Sequence, residues 1–300
     1  MTRSIDLQGH RGARGLFPEN TLAGFAGALA IGVDTLELDV AMTADGVVVV
    51  THDPTLNPDI TRTADGAWLT QPGPAIRSLK AEELARYDVG RIRPGSAYAS
   101  LYPEQVPHDG VRIPTLAEVL RIDPVVKFNI ELKVFPAGHA WAADGARIAE
   151  AVVAVADAAG ATGRITIQSF DWRGPRFLHR TRPDIRLAWL TRSAIFAEAR
   201  AWWDGPGPED YAGSVPRAVA AEGGPVWAPD HLDLTMESLV EAHALGLLVV
   251  PWTVNWPDDI RRLLCWGVDG LISDRPDLAR AVLVEQGFRL PSPRPSATTG

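Results

Sequence analysis

Short apolar runs recur along this chain and alternate with longer stretches whose apolar residues return every three or four positions. Runs of the first kind read as strands: Ile5 to Gly9, Thr35 to Val40, Lys127 to Lys133, Ile165 to Ser169, Arg186 to Leu190, Val226 to Ala228, Leu247 to Val254 and Gly270 to Ser273. Strands alternating with helices predict an α/β protein with a parallel sheet. The count matches what a closed (β/α)8 TIM barrel requires, the sixth being the shortest. Pro18 is expected at the start of the first helix, where its fixed φ fits. Ile148, Val152 and Val155 form a helical stripe between the third and fourth strands. Ser273-Asp274-Arg275-Pro276 reads as the opening of the last helix.

Two regions interrupt this alternation. Val47 to Val50 forms an extra strand, joined to the second by the hairpin signal Asp45-Gly46. Residues 54–113 are rich in Pro, Gly and Tyr, lack periodicity and exceed an ordinary βα loop. The expected organisation is one barrel domain over residues 1–285, with 54–113 as an insertion capping its active-site end. Residues 286–300 are expected to be a flexible, Pro-rich tail.

Composition narrows the partners. The 300 residues are 46% hydrophobic, enough for one large core. A net charge of −8 argues against a nucleic-acid surface, which needs clustered Lys and Arg. Any phosphate site must be local. Cys265 stands alone, so no intrachain disulfide forms. Met1 to Ile5 shows no apolar leader and no run is long enough to span a bilayer, so a cytoplasmic location is expected.

The strand ends carry the chemistry. Side chains alternate across a strand, so Glu37 and Asp39 share one side, as do Glu131 and Lys133. In a barrel strand that side can be the interior, where charges are costly unless paired or bound to metal. Three carboxylates from two strands suit a hard divalent cation, Mg²⁺ or Ca²⁺. His10 follows the first strand and His52 the hairpin strand, and imidazoles serve as general acid or base. A two-residue turn at Asp45-Gly46 would set His52 opposite Asp39. Arg11 either grips phosphate oxygens or pairs with Glu19. Lys133, in a chain with few lysines, points with Glu131. Gln168 either bonds a substrate oxygen or orders a neighbour. Trp252 and Asn255 end the seventh strand, the aromatic as a core residue or as the wall of a glycerol pocket and Asn255 as a supporting residue. Asn20 either orders His10 or, like Glu19, caps the first helical turn.

These segments together resemble one family. Gly9-His10-Arg11-Gly12, Pro18-Glu19-Asn20-Thr21, Glu37-Leu38-Asp39, His52-Asp53, Asn129-Ile130-Glu131-Leu132-Lys133 and the closing Ile272-Ser273-Asp274-Arg275-Pro276 look like a glycerophosphodiester phosphodiesterase. The resemblance implies a phospholipase C-like TIM barrel, with Glu37, Asp39 and Glu131 as ligands of one divalent cation. It implies His10 and His52 as the acid–base pair and Arg11 and Lys133 at the phosphate. Its substrate is a small glycerophosphodiester, its products glycerol 3-phosphate and an alcohol. The closing segment reads as fold-defining, and His108, His139, His179, His231 and His243 as structural or surface residues. Three other readings compete. A lysophospholipase D-like enzyme would line an acyl groove with Trp68, Tyr98, Leu101 and Tyr102. A cyclising phospholipase of the phosphoinositide type also pairs histidines on a barrel. A barrel that merely binds phosphodiesters would lack turnover.

Overall fold

The computed structural model describes residues 4–294. Its strands are β1 (Asp6–Gly9), β2 (Thr35–Met42), β3 (Val48–Val50), β4 (Lys127–Leu132), β5 (Ile165–Ser169), β6 (Arg186–Thr191), β7 (Val226–Pro229), β8 (Leu248–Val249) and β9 (Gly270–Ser273). Eight run parallel in the order β8-β7-β6-β5-β4-β2-β1-β9, with β3 antiparallel on β2. The seam between β8 and β9 is bridged by main-chain bonds: Asp269 N–H to Val249 (2.9 Å), Ile272 N–H to Pro251 (3.0 Å) and Val254 N–H to Ile272 (2.9 Å). With helices between the strands this is a nearly closed (β/α)8 barrel. The seventh predicted strand, Leu247 to Val254, contracts to two residues, because Pro251 has no N–H to give the ladder.

Packing follows the strand chemistry. β2 is buried on both faces from Thr35 to Val40, as expected of a strand inside a ring of helices. Helix Leu22–Ile31 turns Phe25, Ala28 and Leu29 inward and stops at Gly32, whose φ of 94° suits a residue without Cβ. Pro18 does not open this helix. Thr21 caps it, its hydroxyl oxygen accepting from Gly24 N–H at 3.0 Å while donating to the Pro18 carbonyl at 2.7 Å. Pro276 does sit in the first turn of the last helix, Pro276–Glu285.

The hairpin differs from expectation by one residue. Thr43 N–H bonds Val47 C=O (3.0 Å) and Gly46 N–H bonds Thr43 C=O (3.1 Å), so the loop is Ala44-Asp45-Gly46 with Gly46 at φ 82°. Val40 therefore pairs with Val50, and Thr51, not His52, faces Asp39, donating to its carbonyl at 2.9 Å. His52 lies one step past the ladder.

Residues 54–113 fold without long helices. Leu56, Ile76 and Leu84 form a small core with Val49 of β3, and Leu69, Tyr87 and Ile113 pack around it. Side chains converging from successive turns leave no period in the sequence. Parts of this segment lie over the loop after β1: Gln105 Nε2 donates to Arg14 C=O (2.8 Å) and Val106 N–H to Leu16 C=O (2.8 Å). Within the predicted tail, residues up to Arg294 pack on the barrel: Arg294 Nη1 donates to Asp123 at 2.9 Å, and its N–H to Leu29 C=O at 2.9 Å. Residues 295–300 lie outside the described ones. Among the described residues no helix is long and apolar enough to cross a membrane.

Candidate active site

The site gathers at the C-terminal ends of β1, β2, β4 and β9, and begins with a turn that only glycine permits. A Cβ on Gly9 would lie 2.0 Å from the Gly12 carbonyl oxygen, and Gly12 adopts φ 91°. Between them Arg11 takes φ 50°, uncommon for a residue with a side chain. This conformation turns the Arg11 N–H onto Glu37 Oε2 at 2.9 Å.

Strand register builds the acidic cluster. β2 and β4 pair Asp39 with Glu131 and Glu37 with Asn129, which brings the ligand oxygens of Glu37, Asp39 and Glu131 within 4.8 Å of one another. Burial, then the neighbouring Asp39 and Glu131 charges, push the Glu37 carboxyl well above its ordinary range. Burial also raises Glu131, against the pull of Lys133. Burial opposes ionisation of Asp39 as well, but the Arg11 guanidinium outweighs it and holds that carboxyl low. Asp39 Oδ1 is buried with no hydrogen-bond partner. Repelling carboxylates with an orphaned oxygen fit a hard divalent cation.

Cations and amides border the cluster. Arg11 Nη1 donates to Glu19 Oε1 (2.8 Å) and its Nε lies 3.2 Å from Asp39 Oδ2. Lys133 Nζ bonds Glu131 Oε1 at 2.7 Å and lies 3.6 Å from Asp39 Oδ1. Asn20 contacts Asp39 rather than His10: its Nδ2 donates to Asp39 Oδ2 (2.9 Å) and its Oδ1 accepts from Asp39 N–H (3.3 Å). Neither Asn20 nor Glu19 caps the helix, since Thr21 does.

Each histidine leans on an aspartate. His10 Nδ1 lies 2.6 Å from Asp274 Oδ1, and Arg14 clasps the same carboxylate through Nε (2.9 Å) and Nη2 (3.0 Å). Asn255 Nδ2 donates to Asp274 Oδ2 at 2.9 Å, and its Oδ1 accepts from Asp274 N–H at 2.8 Å. Burial lowers His10 to about 4 despite the pull of Asp274. Its imidazole is therefore neutral near pH 7, with Nδ1–H donating to Asp274 and Nε2, the acceptor, 3.9 Å from Glu37 Oε2. His52 Nδ1 contacts Asp53 Oδ1 at 2.7 Å, and Asn57 Nδ2 holds the other Asp53 oxygen at 2.7 Å. His52 is near enough to Asp39 and Glu131 to lower both electrostatically.

Asp274, Asp53 and Arg14 escape the sequence analysis. The Asp274 segment looks fold-defining there, and only the His52-Asp53 dipeptide hints at one of these partnerships. Nothing in sequence links positions 10, 14 and 274. Among the other histidines, His139 stacks on Phe135 at 4.6 Å and His243 pairs with Asp269 at 3.0 Å.

Residues 10–278 match the Glycerophosphoryl diester phosphodiesterase family. The chain belongs to that family. The match begins at the histidine that Asp274 holds and runs past Asp274 itself. A Bacillus altitudinis glycerophosphodiester phosphodiesterase is 32% identical, covering 93% of this chain and 98% of its own. A second, from Bacillus subtilis, is 30% identical over 91% of this chain and 84% of that one. A Silicibacter pomeroyi crystal structure, provisionally described as a glycerophosphoryl diester phosphodiesterase, superimposes with a TM-score of 0.86 at 38% identity, covering 95% of each chain.

Two clefts flank this family's barrel mouth in the present chain. One, about 280 Å³, opens beside Lys133 between Met42, Phe135 and Trp141. The other, about 480 Å³, lies beside Asp274 and Asn255 and includes Leu101, Tyr102 and Trp256. Trp68 instead packs against Arg62, 5.6 Å from its ring centre. Tyr98 donates its hydroxyl to Glu19. Trp252 meets Phe170 edge-on at 5.4 Å and donates its Nε1–H to Ala228 C=O at 2.9 Å, so its ring is held rather than free to swing.

Proposed function

We propose that this protein hydrolyses small glycerophosphodiesters to glycerol 3-phosphate and an alcohol, using His10 as general base and His52 as general acid. The observation that supports it most directly is the pairing of a neutral, aspartate-held imidazole with a compact carboxylate cluster. Glu37, Asp39 and Glu131 are the residues that would hold Mg²⁺ or Ca²⁺, which when bound would neutralise phosphodiester charge and favour ionisation of the attacking group.

The chain's own groups divide the remaining work. Arg11 and Lys133 present charged N–H donors at the edge of the cluster, where they bind the phosphodiester oxygens. His10, with its Nδ1 proton committed to Asp274, has its Nε2 lone pair free to take the proton of the attacking group. Water in that role gives glycerol 3-phosphate directly, whereas the glycerol 2-hydroxyl gives a cyclic phosphate that water then opens. His52, more open to solvent and held by Asp53, gives its proton to the departing alkoxide. The pairing of each imidazole with an aspartate fixes ring and tautomer before substrate arrives. Trp252 and Gln168 flank this machinery as pocket wall and orienting amide. Residues 1–285 act as one catalytic domain, with 54–113 covering the mouth and selecting the alcohol.

The test follows glycerol 3-phosphate release from glycerophosphocholine and glycerophosphoethanolamine, and lysophosphatidate or cyclic product release from a lysophospholipid alongside. The protein is stripped of metal and then given Mg²⁺ or Ca²⁺. Cation-dependent turnover of the two soluble diesters is expected. Turnover of the lysophospholipid alone would replace this reading with the lysophospholipase D-like one.

A further inference from the structure

Behind the carboxylate cluster, the barrel interior holds a continuous line of amides. Gln168 Nε2 donates to Glu37 Oε1 at 3.0 Å, and Gln168 Oε1 accepts from Asn129 Nδ2 at 3.0 Å. The same Asn129 amide gives its other proton to Gln8 Oε1 at 2.9 Å, and Gln8 Nε2 donates to Asp6 Oδ2 at 2.9 Å. All three amides are buried, at 5%, 3% and 1% exposure for Gln8, Asn129 and Gln168. The line starts on β1 at the lower end of the barrel, crosses β4 and reaches the cluster through β5.

With Asp6 ionised, and Glu37 ionised as in the cation-bound site, the direction of every bond in it is determined. Glu37 and Asp6, when ionised, only accept hydrogen bonds, so Gln168 and Gln8 must each turn an NH₂ group outward and a carbonyl inward. Both inward carbonyls then require donors, and Asn129 supplies one N–H to each. Its own carbonyl oxygen is left buried without a partner. A flipped Asn129 would set its carbonyl against two others, so the unpartnered oxygen is the smaller loss.

We propose that Gln8, Asn129 and Gln168 act together as a positioning chain that fixes Glu37 for cation binding from inside the barrel. The inference rests on Glu37 being a cation ligand. Arg11 N–H fixes one Glu37 oxygen and Gln168 the other, so the carboxylate is oriented by one donor from the loop and one from the core. Asn129 stands beside Glu37 in the strand register, but its amide hydrogen-bonds Gln8 and Gln168 rather than a cluster carboxylate, so its hydrogen-bonded route to Glu37 runs through Gln168. Partners of this kind typically alter metal affinity by about 10- to 100-fold when removed.

The test measures Mg²⁺ and Ca²⁺ binding to the purified full chain by calorimetry, alongside Tm with and without each cation. Asn129→Leu removes the central amide at nearly unchanged size and adds no charge beside the carboxylates. It is expected to weaken cation binding about tenfold or more and to shrink the cation-induced rise in Tm. Gln168→Met, which removes the direct donor, should weaken binding at least as much, and Gln8→Met, at the far end, less. Should Asn129→Leu fail to fold, the contrast between Gln168→Met and Gln8→Met decides. Cation affinities equal to wild type in the folded variants, with Tm lowered equally in both states, would mean a merely structural role and overturn the inference. A wild-type protein that binds neither cation would instead remove the premise about Glu37.

Discussion

The carboxylate of Asp274 sits 2.6 Å from His10 Nδ1, across nearly the whole length of the chain, while Arg14 and Asn255 immobilise it. Burial works against its ionisation, but His10 and Arg14 overcome this and hold it well below the usual carboxylate range. Asp274→Asn keeps the shape but lets an NH₂ group face the imidazole, favouring the wrong tautomer. We expect kcat to fall by about 10²- to 10⁴-fold, the usual span for a general acid–base contribution. KM should change little. Steady-state kinetics on the folded variant would check this, and an unchanged kcat would sever Asp274 from the proton transfer.

Glu131→Gln should move two properties in opposite directions. In the cation-free protein burial of the Glu131 charge, with Asp39 adding repulsion, outweighs the attraction of Lys133, so neutralising it should let Tm hold or rise. In Mg²⁺ or Ca²⁺ the wild type should gain Tm and the variant should gain much less. Each kcal/mol corresponds to a few degrees, about 2–4 °C in somewhat smaller chains. Calorimetric scans with and without cation give both numbers, and an equal cation response in the two proteins would exclude Glu131 as a ligand.

His10 makes acid stability predictable. Its pKa is lowered from 6.5 to about 4 by burial, so between those values the unfolded chain binds more protons than the folded one. Stability is therefore fully present above about pH 6.5 and is lost as pH falls towards 4. The depression corresponds to about 3 kcal/mol. Denaturant titrations across this window should show wild type losing more stability than His10→Gln. In activity, the acidic limb of kcat/KM should lie near pH 4 rather than 6.5. An acidic limb near 6.5 that survives in His10→Ala would assign the base elsewhere.

Arg11→Lys tests whether the fork matters as well as the charge. The guanidinium spans Glu19 and Asp39 with different nitrogens, which a single ammonium cannot reproduce. We expect kcat/KM to drop about tenfold or more, mostly through KM, with cation affinity nearly retained. Equal kinetics would reduce Arg11 to an ion-pairing role.

Much of this arrangement is legible in the sequence because alternation within a strand is a strong rule. Glu37 with Asp39, and Glu131 with Lys133, fall on the inner face as soon as their strands are recognised. The barrel itself follows from the apolar runs, although Pro251 shortens one of them. Contacts between distant loops were not legible: Asp274 on His10, and Asn20 on Asp39 rather than His10, depend on how separate strand ends meet. The hairpin shows a finer limit. Asp45-Gly46 marks the turn, but whether two or three residues form it shifts the register and changes which residue faces Asp39.

The bond from Thr51 N–H to Asp39 is where the hairpin ladder hands over to residues 54–113. His10 is anchored by Asp274 at the end of β9, whereas His52 is anchored by Asp53 and Asn57, outside the ring of strands. The two proposed proton carriers thus have separate structural lineages. On the proposed roles, change in residues 54–113 would reshape the alcohol pocket and retune the imidazole serving the leaving group, while the carboxylate cluster and the opposing imidazole stay in the barrel's keeping. Substrate choice and leaving-group chemistry would then diversify together, on a constant half-site.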